Sequence, residues 1–195
     1  MVSRIEKKSL FDVKRGRFIM VDFKEEDYKI FQLFDKDWAL VTAGSMDSYN
    51  SCTLSWGALG SIWNGPGKAH PAATIYVHPA RYTSEFLKNN EFFTLSFYAP
   101  EYKKALAYMG SHSGRNEDKA KGAGLTPIAF GNGVTYEEAK VTFLCRKLYM
   151  HQFSREDLAK DIQDYYAAVP QTYPDFNGGW QPHYQIIGDI IDIKR

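Results

Sequence analysis

The sequence predicts a mainly β fold, an antiparallel barrel, closed or partly closed, with helices on its outside. Three observations carry this prediction. About seven short segments combine β-branched and aromatic residues with partial alternation. The helix-like pieces between them do not alternate strictly with strands, as a doubly wound parallel sheet would require. The 195 residues suit a single domain over 1–195, long enough to bury a core without disulfides or a structural metal.

Taken in order, YKIFQLF (28–34), WALVTAG (38–44), TLSWGALGSIW (53–63) and AATIYVH (72–78) read as strands. TSEFLKN (83–89) follows as a helix, FFTLSFY (92–98) as a strand, and EYKKALAYMG (101–110) and NEDKAKGAG (116–124) as further helices. Asn132-Gly133 signals a hairpin turn ahead of the strand KVTFLCRKLYM (140–150). Thr135 to Glu138 matches the spacing of a capping box, but the β-rich run behind it makes the match accidental. Ser154 is placed to cap a helix over REDLAKDIQDYYAAV (155–169), because the Asp-Leu-Ala-Lys-Asp-Ile pattern continues at helical spacing. PQTYPDFNGGWQPHY (170–184) is too irregular for an element and too apolar for a free linker, so it is expected to pack over a surface or a second subunit. YQIIGDIIDI (184–193) closes the chain as a strand.

Composition narrows the function. With 24 Lys+Arg against 23 Asp+Glu, no large basic field argues for nucleic acid or an anionic membrane. The charged N-terminal stretch lacks the apolar core of a signal peptide, and no run approaches the roughly 18 apolar residues of a membrane span. A cytoplasmic location is the expectation. Cys52 and Cys145 stand far apart and the five histidines are scattered, so neither a disulfide framework nor a metal-ligand spacing is present. GxGxxG after a strand, GxxxxGK[ST] and GxSxG are all absent, which leaves no Rossmann site, P-loop or hydrolytic elbow to build on.

Three separated stretches share one composition. NSCTLSWG (50–57) gathers Asn50, Ser51, Thr53 and Ser55 around Cys52 and just before Trp56. Pro79-Ala80-Arg81-Tyr82-Thr83 leads into a helix, and Gly110-Ser111-His112-Ser113-Gly114-Arg115 joins two helices ahead of Lys119. A helix start presents N–H groups and partial positive charge, and arginine adds a fork shaped for phosphoryl oxygens. Arg81 and Thr83 stand at one such start. Arg115, Lys119 and the hydroxyls of Ser111 and Ser113 form a second, with Gly114 allowing a concave backbone. Each feature also has a plain reading: a solvated helix start, a charged surface turn, a buried small Cys52, a core Trp56. Their occurrence together in one small chain favours an anion site, and the lack of acid/base signatures favours chemistry left to a cofactor.

At these residues the chain resembles a known family. Over 50–127, the order Asn-x-x-Thr-x-Ser-Trp-Gly, Pro-x-Arg-Tyr-Thr, Gly-Ser-x-Ser-Gly-Arg and Asp118-Lys119 is similar to the flavin reductase-like, FMN-binding split-barrel family, particularly its flavoredoxin-type members. The resemblance implies a Greek-key split β-barrel with peripheral helices, a homodimer, and FMN near the subunit interface. Residues 50–56, including Asn50, Ser51, Cys52, Thr53, Ser55 and Trp56, would line the ring and ribityl chain. Arg81, Thr83, Ser111, Ser113, Gly114, Arg115 and Lys119 would hold the phosphate and ribityl groups.

The expected activity is an FMN-dependent oxidoreductase, with hydride passing from NAD(P)H to the flavin and on to an acceptor, and with no side chain required as nucleophile. The alternatives are an FMN electron carrier of flavoredoxin type serving a redox protein partner, and a cofactor-free dimeric interaction module.

Overall fold

The computed structural model describes residues 9–12, 17–20, 23–64, 69–169 and 179–195. Strands β1 (Ser9–Asp12) and β2 (Arg17–Met20) form a separate two-stranded sheet. The main sheet has seven strands: β3 (Ala39–Ser45), β4 (Ser48–Leu54), β5 (Gly57–Asn64), β6 (Ala69–Val77), β7 (Phe92–Phe97), β10 (Val141–Gln152) and β11 (Tyr184–Lys194). A small hairpin, β8 (Pro127–Phe130) and β9 (Gly133–Tyr136), lies beside it. The helices are α1 (Thr83–Asn89), α2 (Lys103–Ser111), α3 (Lys119–Ala123) and α4 (Lys160–Ala168). None is long and apolar enough to cross a membrane.

The strand order β4-β3-β7-β10-β11-β6-β5 is antiparallel throughout. Its two outermost strands, β4 and β5, follow each other in the chain and are joined only by Ser55 and Trp56. Two residues span at most about 10 Å. The sheet must therefore curl until its edges meet at this junction, while β4 and β5 share no ladder: the barrel is split there.

The barrel interior holds Val41, Cys52, Ile75, Val77, Phe93, Leu95, Phe97, Phe143 and Ile186. A second cluster, with Leu40, Leu106, Met109, Leu125 and Tyr136, fills the space between the sheet's outer face and the helix and hairpin layer. Neighbouring Leu40 and Val41 thus go to different cores. β3 is buried on both faces, which removes the alternation expected of a half-exposed strand.

Small hydroxyls join the outer face to the hairpin. The Ser51 hydroxyl bonds Thr42 Oγ1 at 2.7 Å and Tyr136 Oη at 2.6 Å, and Thr135 Oγ1 bonds Ser96 and Thr142 at 2.9 and 2.8 Å. Thr135 sits in β9, so the capping-box spacing is indeed accidental.

Four expectations are corrected. Residues 28–34 are not a strand: Ile30, Leu33 and Phe34 face the core at helical spacing, a π-helical turn runs over Gln32–Asp37, and Phe31 is 90% exposed. The segment 53–63 is not one strand but the end of β4, the junction and β5, and the Phe34 ring occupies the space a Gly57 Cβ would need, 2.3 Å away. Ser154 does not cap a helix at 155. Residues 155–158 form a turn in which Leu158 N–H reaches Arg155 O at 3.1 Å, Ser154 bonds Glu156, and α4 starts at Lys160. The hairpin turn is at Gly131-Asn132, one residue earlier than expected, with Gly131 at φ 53° and Gly133 already paired with Phe130. In the segment expected to pack over a surface, 170–178 lies outside the described residues.

Candidate functional site

The curled sheet leaves a cleft beside the β4–β5 junction. A cavity of about 560 Å³ is bounded by the end of β4 through Trp56, by Tyr76 and Val77 of β6 and the following His78, by Leu106, Ala107 and Gly110 of α2, and by Trp38 and His183. Its walls are mainly aromatic and aliphatic, and its volume is in the usual range for a small-molecule site. A second cavity of about 100 Å³ adjoins it, lined by Asn50, Cys52, Arg81, Thr83, Ser111, Ser113, Gly114 and Lys119 among others. Cys52, Arg81 and Ser111 line both. The small cavity is under a fifth of the volume of the first and is lined mainly by polar side chains.

Eleven of the thirteen expected site residues line one or both cavities: Asn50, Cys52, Thr53, Ser55, Trp56, Arg81, Thr83, Ser111, Ser113, Gly114 and Lys119. Ser51 and Arg115 do not. The Ser51 side chain is taken up by Thr42 and Tyr136 in the layer between sheet and hairpin. The Arg115 guanidinium pairs with Glu85 and lies 4.4 Å from the Tyr82 ring.

Several lining side chains already have protein partners. Asn50 donates to Thr83 Oγ1 at 2.7 Å. Thr53 donates to the Leu106 carbonyl. These bonds fasten β4 to α1 and α2, so the hydroxyls and amide of NSCTLSWG are chiefly fasteners between elements. Asn50 and Thr53 also line a cavity, so their side chains both fasten β4 and border the cleft, while Ser51 lines neither of the two cavities.

Lys119 is buried and donates to Ser51 O at 2.8 Å and Met109 O at 2.7 Å; an ammonium has a third donor, and Lys119 also lines the small cavity. Burial is the main influence lowering its pKa. Arg81 reaches across from the start of α1, donates from Nη1 to Gly110 O at 2.7 Å and lines both cavities. The helix-start argument is weaker than expected here, because Ser84 and Glu85 N–H already bond Arg81 O and Tyr82 O at 2.9 and 3.1 Å. Side-chain donors carry the positive character of the cleft.

Gly114 meets Asn50 closely. A Cβ there would stand 2.0 Å from Asn50 Oδ1, and Asn50 cannot yield without losing Thr83. Burial raises the Cys52 pKa, so this thiol is a packing group with no thiolate character.

The sequence did not single out the histidines. His78 and His183 meet edge to face with ring centroids 5.2 Å apart, and His183 lies 4.7 Å from Trp56. Burial, with Arg81 nearby, lowers His78 to about 4, and burial with His78 and Arg81 lowers His183 to about 3. Both are neutral at pH 7. His78 stands directly before the quoted Pro79-Ala80-Arg81, and that adjacency was the available signal. His183 belonged to a stretch read only as aromatic and irregular. Trp38, at φ 68°, carries Lys103 Nζ 3.1 Å from its ring centroid and forms the far wall.

Among the described residues no three His, Cys, Asp or Glu side chains group as a metal site. The residues present fit FMN: an aromatic- and aliphatic-walled cavity for a flat ring shares Cys52, Arg81 and Ser111 with a neighbouring pocket whose Arg81, Lys119 and Ser113 donors fit a terminal phosphate.

No family model matches the chain, and no curated protein matches it in sequence. Solved structures do. An FMN-binding protein from Thermus thermophilus, with bound 1-cyclohex-2-enone, aligns over 81% of this chain and 69% of its own at 20% identity and a TM-score of 0.58. Flavoredoxin of Desulfovibrio vulgaris (Miyazaki F) aligns over 80% and 68% at 24% identity and a TM-score of 0.55. An NADH:FAD oxidoreductase from Streptomyces globisporus aligns over 82% and 75% at 14% identity and a TM-score of 0.55. With its antiparallel curled sheet, its parted edges at the β4–β5 junction and its outer helices, the chain has the fold of the FMN-binding split barrels, the fold of flavin reductase-like proteins and flavoredoxins.

Proposed function

We propose that this protein binds FMN and acts as an oxidoreductase of the flavin reductase type, taking hydride from NAD(P)H and passing the electrons to an acceptor. One observation carries the reading: in an FMN-binding split-barrel fold, an apolar-walled cavity of about 560 Å³ shares Cys52, Arg81 and Ser111 with an adjoining cation- and hydroxyl-lined one of about 100 Å³. Bound FMN supplies two-electron chemistry, accepting hydride at one ring nitrogen and releasing the electrons to a second substrate.

The chain's own residues bind, orient and shield. Trp56, Leu54, Val77 and Leu106 flank the ring slot and keep water from it. Arg81 and the third Lys119 donor offset the phosphate charge, and Ser113 supplies a hydroxyl donor, the Ser111 hydroxyl being given to Ala107 O at 2.9 Å. His78 and His183, neutral at working pH, add no net charge beside the ring and leave one edge of the slot polar. Micromolar binding requires about 8 kcal/mol, within reach of a charge-assisted phosphate site and a buried ring. Action as a homodimer belongs to the same reading. It is supported by two exposed tryptophans on the split edge, Trp56 at 41% and Trp63 at 54%, and is checked by light scattering of the purified protein.

The visible spectrum of protein reconstituted with FMN tests the reading, followed by anaerobic addition of NADH and of NADPH. Retained flavin absorbance that bleaches with either nucleotide is the expected result. Retained flavin that neither nucleotide bleaches but a partner reductase does would replace the enzyme with an electron carrier. No retained flavin would refute the reading and leave a dimeric interaction module.

A further inference from the structure

The small cavity is built from two stretches on opposite sides, and two arginines cross between them in opposite directions. Arg81, at the start of α1, donates to the Gly110 carbonyl at 2.7 Å on the far side. Arg115, in the turn after α2, reaches back to the Glu85 carboxylate on α1 and covers the Tyr82 ring at 4.4 Å. Arg81 lines both cavities and Arg115 lines neither.

We propose that Arg115 is a positioning residue for the phosphate pocket, acting through Glu85, and does not itself contact the phosphate. This rests on the FMN reading. The turn it anchors is a small rigid unit: Asn116 N–H bonds Ser113 O at 3.0 Å, and Arg115 N–H bonds Ser113 Oγ at 3.3 Å. Displacing Arg115 therefore displaces Ser113 and Gly114, which line the pocket. On the other side the turn abuts Asn50 at Gly114, and Asn50 is bonded to Thr83. Both supports end on α1, one at Thr83 and one at Glu85, so the turn is clamped against the helix from two directions. A guanidinium paired with a carboxylate already has its charge offset. Swinging it to a phosphate would leave Glu85 unpaired near a dianion, which opposes that movement. The pair is about half exposed, so it contributes little to overall folding and its variants remain folded. Its effect falls on the geometry of the pocket.

The test measures Kd for FMN and for riboflavin, which lacks the phosphate, with the parent, Glu85→Gln, Arg115→Ala and the exchanged pair Glu85→Arg/Arg115→Glu. Expected are losses of about three- to fivefold in FMN affinity for Glu85→Gln and about five- to tenfold for Arg115→Ala. Riboflavin affinity stays unchanged, showing an intact ring slot, and the exchanged pair returns FMN affinity to near the parent's. Tighter FMN binding by Glu85→Gln would overturn the proposal, because it would show Arg115 freed to bind phosphate. So would an exchanged pair as weak as Arg115→Ala, or Glu85→Gln equal to the parent. A parent that binds no FMN would instead overturn the cofactor reading, and the brace with it.

Discussion

Arg81 and Arg115 carry the same charge and both stand in motifs suited to phosphate, but only Arg81 reaches the cavities. Sequence could not separate them, because the difference lies in whether a carboxylate on a neighbouring element is within reach, and Glu85 is thirty positions from Arg115. Arg81→Ala is expected to weaken FMN about 10- to 100-fold, the range of a lost charge-assisted bond, as read by fluorescence quenching. A loss under threefold would remove Arg81 from the phosphate site. Gly114→Ala places a methyl 2.0 Å from Asn50 Oδ1, and Asn50 is held by Thr83. Overpacking of that kind costs about 1 to 3 kcal/mol, and a lowered urea midpoint together with weaker FMN binding is the predicted outcome. An unchanged midpoint would mean that the turn can retreat.

Among the elements, α1 was legible to the residue because TSEFLKN has helical composition and the strand FFTLSFY follows at once. β6, β7, β10 and β11 were legible within a few residues for their runs of β-branched and aromatic side chains. β8 and β9 were not, since four-residue strands carry too little periodicity and are held by tertiary hydroxyl contacts. The break between β4 and β5 was also hidden. Ser55 and Trp56 resemble strand residues, and only the arrival of Phe34 over Gly57 and the assignment of the strands to opposite sheet edges divide them. Likewise the side chains of β4 announced polarity without saying what would meet it, and most of them meet other elements. Tyr136→Phe tests that fastening role: it removes one bond to Ser51 and leaves the Thr42–Ser51 pair intact. A destabilisation of about 0.5 to 1.5 kcal/mol by urea unfolding is expected. A neutral result would show that the Ser51–Tyr136 bond adds nothing to the hold of the Thr135 contacts and packing on the hairpin.

On the scale of the whole molecule, curling the sheet brings two tryptophans, two neutral histidines and Arg81 to a single cleft from parts of the chain as distant as Trp38 and His183. Burial of the histidines couples that cleft to folding. Their pKa values in the folded protein, about 4 and about 3, lie below the ordinary 6.5, so the unfolded chain takes up protons first on acidification. Stability from this source is complete above pH 6.5 and declines as pH falls towards 4 for His78 and towards 3 for His183, by at most about 1.4 kcal/mol per pH unit for each. Urea midpoints at pH 7 and pH 5 should therefore differ more in the parent than in His78→Asn, and equal differences would assign the acid sensitivity elsewhere. The shape of the cleft is tested most directly by a crystal structure of the protein with FMN. The predicted result is a ring between Trp56 and Leu106 and a phosphate within hydrogen-bonding distance of the Arg81 guanidinium and the Ser113 hydroxyl. A phosphate seated away from Arg81, or a ring outside the β4–β5 junction, would contradict it.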